Sequence, residues 1–384
     1  MKIALLSEKY TPDVGGLAIS AERISRLLAS AGHAIRVFAP TSNLVASVRQ
    51  QIRPASGVSV TRFGAHKRVD DTLVDWFELV VEEHQREAFD LLHAYFLPQA
   101  GFVATYAGKY LNVPSVVSIR GNDIERAAFD PSKFSHVMYA LQNASAVTTN
   151  ASELAKKAKA FFDREIILIP NGVDAEHFKP MERNEMLAEA LELGRGKMKE
   201  ERSLVMGFAG ELREKKGLKT LLNSYAQVNK KNPITLLIVG DVRAGEDKKT
   251  FDELKASIPN ENIIVTGYVA HKDLPAYYSL MDVFVHPSLR DGTPNAVLEA
   301  LACEKAVIAT PVGGARNIIE NETNGIFVNV NDVGALAEAL DDLLDNPEKR
   351  ERLGKAARET IVNGFTPEME LKANLEIYRI VAAS

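Results

Sequence analysis

Asp291–Ala302 reads D-G-T-P-N-A-V-L-E-A-L-A. It has the chemistry of a helix start, with Thr293 as an expected N-cap and Pro294 as an expected first helical residue. The N–H groups of Asn295, Ala296 and Val297 would then point out of the helix, a ready site for an anion. Asp291 and Gly292 stand just ahead of it. Glu299 sits in an apolar run, where a bare carboxylate is costly to bury. It suits a vicinal diol if it faces a ligand. Equally, Asp291 could assist the cap while Glu299 forms an internal salt bridge; spacing alone leaves both open.

A second group follows another apolar run. Arg213, Lys215 and Lys216 precede Gly217 in G-E-L-R-E-K-K-G. Arg offers a bidentate fork and Lys a point charge, which suits a diphosphate. Glu211 and Glu214 keep a plain solvated loop in play. Glycine pairs occur at Gly15-Gly16 and Gly313-Gly314, each between an apolar run and a helical pattern. Such pairs allow close backbone approach to a ligand or simply make a turn. No G-x-G-x-x-G after a strand and no G-x-x-x-x-G-K is present, which counts against dinucleotide and P-loop chemistry. His93, His271 and His286 read as isolated, without metal-ligand spacing. Cys303, the one cysteine, lies in an apolar helical stretch and reads as core.

The elements that must position these residues alternate between strand and helix. Ile3–Leu6, Ile35–Phe38, Asp90–His93, Ser115–Ser118, Ala146–Thr149 and Ile166–Ile169 read as short strands in the first half. The segment from Pro180 to Ser203 is rich in Glu, Lys and Arg and reads as an exposed helix or linker. The pattern then restarts with Leu204–Phe208, Thr235–Val239, Ile263–Val265, Val283–His286 and Ala306–Ala309. Alternation of this kind builds parallel sheets, in which ligands bind beyond the carboxyl ends of the strands. The expected class is α/β with two Rossmann-like domains: 1–180, a charged linker at 181–203, 204–364, and a last helix over 365–384.

The chain has 384 residues, 46% hydrophobic and 25% charged, as in an ordinary globular protein of two domains. Its formal net charge of -5 argues against a general nucleic-acid binder. One cysteine allows no intrachain disulfide and suits a reducing cytoplasm. No apolar run reaches the roughly 20 residues of a membrane span. Peripheral contact with a membrane surface stays open.

Four segments together carry a family resemblance that covers nearly the whole chain. They are I-P-N-G-V-D-A-E-H-F-K-P (169–180), G-E-L-R-E-K-K-G-L, H-P-S-L-R-D-G-T-P-N-A-V-L-E-A-L-A and A-T-P-V-G-G-A-R-N-I-I-E-N-E-T-N-G-I-F-V. The chain resembles retaining glycosyltransferases of the GT-B fold, in family 4 (group 1). The resemblance implies two domains facing across a cleft, with the last helix returning to the first domain. It implies transfer of a sugar from a nucleotide-sugar donor, expected to be a UDP-hexose such as UDP-glucose, to a saccharide or lipid-linked acceptor in polysaccharide or glycoconjugate synthesis. No metal or other cofactor is expected. The expected location is the cytoplasm, with the inner face of the membrane left open.

The same resemblance implies residue roles. Glu299 holds the ribose, and Asp291 contacts the donor sugar. Gly292, Thr293, Pro294, Asn295 and Ala296 take the diphosphate with Lys216, and Gly15 and Gly16 lie beside the phosphates and the acceptor. The chain also departs from the family pattern. Asp291 replaces a usual Glu. Glu211 replaces a usual Arg, for which Arg213 can substitute. Arg120-Gly121-Asn122-Asp123 replaces an acceptor-side His-Gly, making Arg120 and Asp123 the acceptor-side candidates. Asn317 stands where Glu is common. A sugar-nucleotide epimerase and a non-catalytic sugar-nucleotide-binding protein remain the alternatives.

Overall fold

The computed structural model describes residues 1–13, 15–193 and 203–383. The chain forms two compact units, Met1–Asn171 with Pro367–Ser384, and Gly172–Thr366. The first unit thus ends at Asn171, nine residues before the expected boundary, and Gly172–Pro180 belong to the second. In the expected linker the described part holds a short helix, Glu185–Ala190, capped by Asn184; residues 194–202 lie outside the described residues.

The first unit is built on β1 (Lys2–Ser7), β2 (Ala34–Ala46), β3 (Arg49–Ala55), β4 (Val58–Gly64), β5 (Leu91–Tyr95), β6 (Ser115–Ile119), β7 (Ala146–Thr149) and β8 (Ile167–Leu168). Their order is β3-β4-β2-β1-β5-β6-β7-β8. Every pair is parallel except β3 with β4. Side chains alternate between two cores, as the period of a strand requires. Ala4, Leu6 and Phe38 enter one; Ile3, Leu5, Ile35 and Val37 enter the other. Both faces are covered, so these strands read as continuous apolar runs.

β3 and β4 have no counterpart in the sequence reading. Arg49–Ala55 is mostly exposed and polar, so no apolar run announced it. Val58 and Val60, two residues apart, enter one core and Phe63 enters the other; the paired valines are the signal that could have found β4. The miss matters because β4 supplies Arg62. This buried guanidinium donates to the Tyr10 carbonyl at 2.6 Å and to both Asp13 oxygens at 2.9 and 3.0 Å. It clamps the loop that leads from β1 to Gly15.

The last helix, Pro367–Ala382, packs within the first unit. Ile377, Tyr378 and Val381 enter its core. Arg23 makes a bidentate pair with buried Glu370 at 3.0 and 3.1 Å. The Tyr378 hydroxyl meets His93 Nδ1 at 2.5 Å, and His93 Nε2 meets Ser118 Oγ at 2.8 Å. Burial pushes His93 down to about 3, so the imidazole stays neutral.

The second unit carries β9 (Val205–Ala209), β10 (Thr235–Val239), β11 (Ile263–Val265), β12 (Val283–His286), β13 (Ala306–Ala309) and β14 (Ile326–Phe327). The order is β11-β10-β9-β12-β13-β14, all parallel. Strand order therefore reverses between β9 and β12, as it does between β1 and β5 in the first unit. Those reversals are where open parallel sheets bind ligands.

Candidate functional site

The loops after β9 and β12 meet at the second unit's reversal point. Gly217 permits the contact. Its φ is +80, and a Cβ there would lie 2.0 Å from the Pro287 carbonyl oxygen. Leu289 N–H donates to the Lys215 carbonyl at 3.0 Å. This docking brings Lys216 onto Asp291: Lys216 Nζ donates to Asp291 Oδ2. His286, the last residue of β12, donates from Nε2 to the same oxygen at 3.0 Å. Asp291 Oδ1 accepts from Gly292 N–H at 3.0 Å. Burial alone would raise the Asp291 acid. The Lys216 charge and the His286 hydrogen bond outweigh it and hold the carboxyl well below its usual range.

His286 is not isolated. Its ring lies parallel to those of Phe208 and Phe284 on the neighbouring and same strands, at 6.2 and 6.4 Å. Nε2 also meets Ser288 Oγ at 3.0 Å. Burial and nearby Lys216 lower its basicity. With Nε2 donating to a carboxylate, Nδ1 is the bare nitrogen, and it is buried without a hydrogen-bond partner among the described residues. The H-P-S-L-R-D spacing held this signal: a strand-end His five residues before an acid.

Arg213 takes a different course from Lys216. Its Nη1 meets Glu211 Oε2 at 3.2 Å, so the acid that replaces the expected cation engages the intended substitute.

The helix that begins this segment runs Asn295–Ala302. Its N-cap is Pro294, not Thr293, and no side chain caps it. The glycine pair accounts for the shift. Gly314 N–H donates to the Gly292 carbonyl at 2.5 Å. A Cβ on Gly313 would meet the Asp291 and Gly292 carbonyl oxygens at 2.1 and 2.2 Å, and one on Gly314 would meet Thr293 Oγ1 at 2.6 Å. Residues 291–293 are thereby held against the 313–314 backbone, and the helix starts after them. Val297 N–H turns back to the Pro294 carbonyl at 3.0 Å. It is therefore not among the outward donors the sequence suggested.

Glu299 is buried in the next turn. Oε2 accepts from the buried Tyr278 hydroxyl at 2.8 Å. Oε1 accepts from His271 Nε2 at 3.2 Å. His271 is half-exposed, and its ring lies 5.1 Å from Phe178 and 6.3 Å from His177. Beside it a cavity of about 610 Å³ is lined by residues including His177, Lys179, Tyr268, Val269, Lys272 and Tyr277. His271, which reads as isolated in the sequence, is thus paired with Glu299, and Tyr278 carries no local signal because it comes from an earlier segment of the chain.

In the first unit, Gly15 is the N-cap of the helix Gly16–Ser30, with φ +131, and space is open where a Cβ on Gly15 or Gly16 would lie. Glu8, directly after β1, accepts from Gln99 N–H at 3.1 Å. Burial raises it to about 7 against that hydrogen bond, with the Asp123 charge adding to the rise. Phe96, leading into the Leu97–Gly101 turn, holds φ +92, a strained value for an aromatic residue. Arg120 lies 3.9 Å over the Tyr95 ring and donates to Asn171 Oδ1 at 2.9 Å. Asp123 is fully buried. It accepts from the N–H groups of Arg120, Gly121 and Ile124, the shortest at 2.7 Å. Burial raises its acid to about 6 against these bonds. Arg120 and Asp123 thus shape the loop after β6, and the buried Asp123 presents no group outward as an acceptor-side residue would.

Comparisons with known proteins show what the whole chain is similar to. The sequence profile for glycosyl transferases group 1 matches residues 192–360, and that for glycosyltransferase family 4 matches residues 14–177. An uncharacterised glycosyltransferase of Methanocaldococcus jannaschii is 24% identical, covering 99% of this chain and 98% of its own. The UDP-Gal:alpha-D-GlcNAc-diphosphoundecaprenol alpha-1,3-galactosyltransferase of Escherichia coli is 26% identical over 73% of each chain. Among solved structures, Anabaena HepE in complex with UDP-glucose superposes with a TM-score of 0.80 at 19% identity, covering 99% of this chain and 100% of that one. No helix among the described residues is long and apolar enough to cross a membrane.

Proposed function

The chain belongs to the group 1, family 4 glycosyltransferases of GT-B fold, and from that premise we propose that it moves a hexose from a UDP-sugar to a saccharide or lipid-linked acceptor with retention of configuration and without a metal. The observation that carries this reading is the meeting of Lys216, Asp291 and the Asn295 helix start at the β9/β12 reversal, one turn from buried Glu299. A departing diphosphate needs positive potential already in place. Lys216 supplies it, beside the positive end of the Asn295–Ala302 helix.

Glu299 takes the ribose diol, and the adjoining cavity of about 610 Å³ has room for the base. Asp291 takes the donor-sugar hydroxyls. A diphosphate drawing on Lys216 would loosen that cation's hold on Asp291 and free the carboxylate for the sugar. In the transfer, the bond from sugar C1 to the β-phosphate oxygen breaks and its electron pair stays on the phosphate. The acceptor oxygen bonds to C1 from the same face, and its proton passes to the departing phosphate oxygen. The acceptor is assigned to the first unit, beside Gly15 and Gly16. The UDP assignment draws support from the UDP-glucose complex of HepE and the UDP-Gal donor named for the E. coli relative.

The test is incubation with UDP-sugars, following free UDP with and without candidate acceptors, after a thermal-shift screen for the donor. Acceptor-dependent UDP release is expected. Binding without turnover, or an isomerised sugar nucleotide, overturns the transferase reading for these substrates.

A further inference from the structure

Glu299 can grip a diol only if its carboxylate is held at one angle. Its two oxygens are held from different depths. Tyr278 is almost fully buried, and burial beside the Glu299 charge pushes its hydroxyl well above the usual range, so it remains a proton donor to Oε2. His271 reaches Oε1 from a half-exposed position on the short turn His271–Asp273. A carboxylate oxygen has two acceptor directions. With one direction on each oxygen taken by the protein, the remaining pair is left for two neighbouring hydroxyls.

We propose that His271 is a positioning residue for Glu299, and that the His271–Glu299–Tyr278 arrangement makes this site discriminate a ribose from a sugar lacking the 2′,3′-diol. The inference rests on the ribose role assigned to Glu299. The Phe178 and His177 rings beside His271 restrict its swing. Lys272 and Asp273 follow it in the same turn and line the adjoining cavity. The discrimination therefore works through hydrogen-bond geometry at Oε1, and a residue that donates from the same place can replace the imidazole.

The experiment measures binding of UDP and of 2′,3′-dideoxy-UDP by titration calorimetry to the full chain and to His271→Ala, His271→Gln and Glu299→Ala. The two probes share base and diphosphate, so their ratio isolates the diol. Hydrogen bonds from a neutral diol to a charged carboxylate predict a preference for UDP of about 30-fold in the unchanged protein. His271→Ala should cut that preference about tenfold, His271→Gln should restore most of it, and dideoxy-UDP affinity should stay level throughout. The level dideoxy-UDP affinity also reports that each variant is folded. A preference kept or increased in His271→Ala overturns the inference. If Glu299→Ala loses the preference while His271→Ala keeps it, only the positioning role falls. If Glu299→Ala keeps it, the ribose role falls first. Binding of neither probe overturns the uridine nucleotide reading itself.

Discussion

The two strand-order reversals occupy equivalent places in two similar sheets, yet they are furnished in opposite ways. At β9/β12 the polar groups are already partnered: Lys216 on Asp291, His286 on Asp291, and His271 and Tyr278 on Glu299. At β1/β5 there is open space above Gly15 and Gly16, and Glu8 has an acid raised to about 7. A site for a fixed, highly charged ligand benefits from preorganised partners, because no reorganisation is then needed when charge develops. A site with open space and a nearly neutral carboxylate can take uncharged hydroxyl-bearing molecules of different shapes. That contrast fits a constant donor on one unit and a variable acceptor on the other.

The strongest way to break the comparison is Lys216→Ala. If the β9/β12 end stabilises the leaving group, kcat should fall about 100-fold or more at saturating donor. Steady-state UDP release measures it, and unchanged turnover removes the electrostatic half of the contrast. The next largest effect is on folding. Gly313→Ala places a Cβ against two carbonyl oxygens at a φ of +53 and should cost about 3 kcal/mol, read by urea denaturation. A cost below about 1 kcal/mol would mean that the 291–293 loop is not held by the glycine pair.

Arg62→Ala probes the other end. It removes the buried partner of Asp13 and of the Tyr10 carbonyl and should destabilise by about 2 kcal/mol, less than a fully buried pair because Asp13 is partly solvated. Hydrogen exchange should rise over residues 8–13 first. Equal protection in the variant and the unchanged protein would show that β4 does not hold the loop.

The effect confined to one pH range concerns Glu8. Its folded acid stands at about 7 against an ordinary 4.5. The folded state therefore binds the extra proton between those values, and stability falls as pH rises through that window. Glu8→Gln should raise Tm by a few degrees at pH 8, and the gap should close below about pH 4.5. A gap independent of pH would sink the raised acid and, with it, the nearly neutral character of the β1/β5 end.

Much of this architecture is legible along the chain. β7, β10, β11, β12 and β13 fall on the apolar runs that announce them, because strands covered on both faces leave no polar alternation to blur them. β3, β4 and β14 were not legible, being polar, alternating or two residues long. At the site, Asp291, Glu299 and Lys216 stood out by type and spacing. His286 carried a local signal, the acid five residues on, whereas nothing local marks His271 or Tyr278, whose partner Glu299 comes from a later helix.

The sequence by itself determined that this chain makes two largely parallel sheets, where most of their strands lie, and that a helix start with acids on either side of it follows β12. Period, turn residues and apolar runs are local properties, and they suffice for that. Only the tertiary structure decided that Lys216 meets Asp291, that Pro294 rather than Thr293 is the helix N-cap, and that His271 reaches Glu299. Each of those outcomes depends on two loops, separate in the chain, being pressed together by the packing of the strands that carry them.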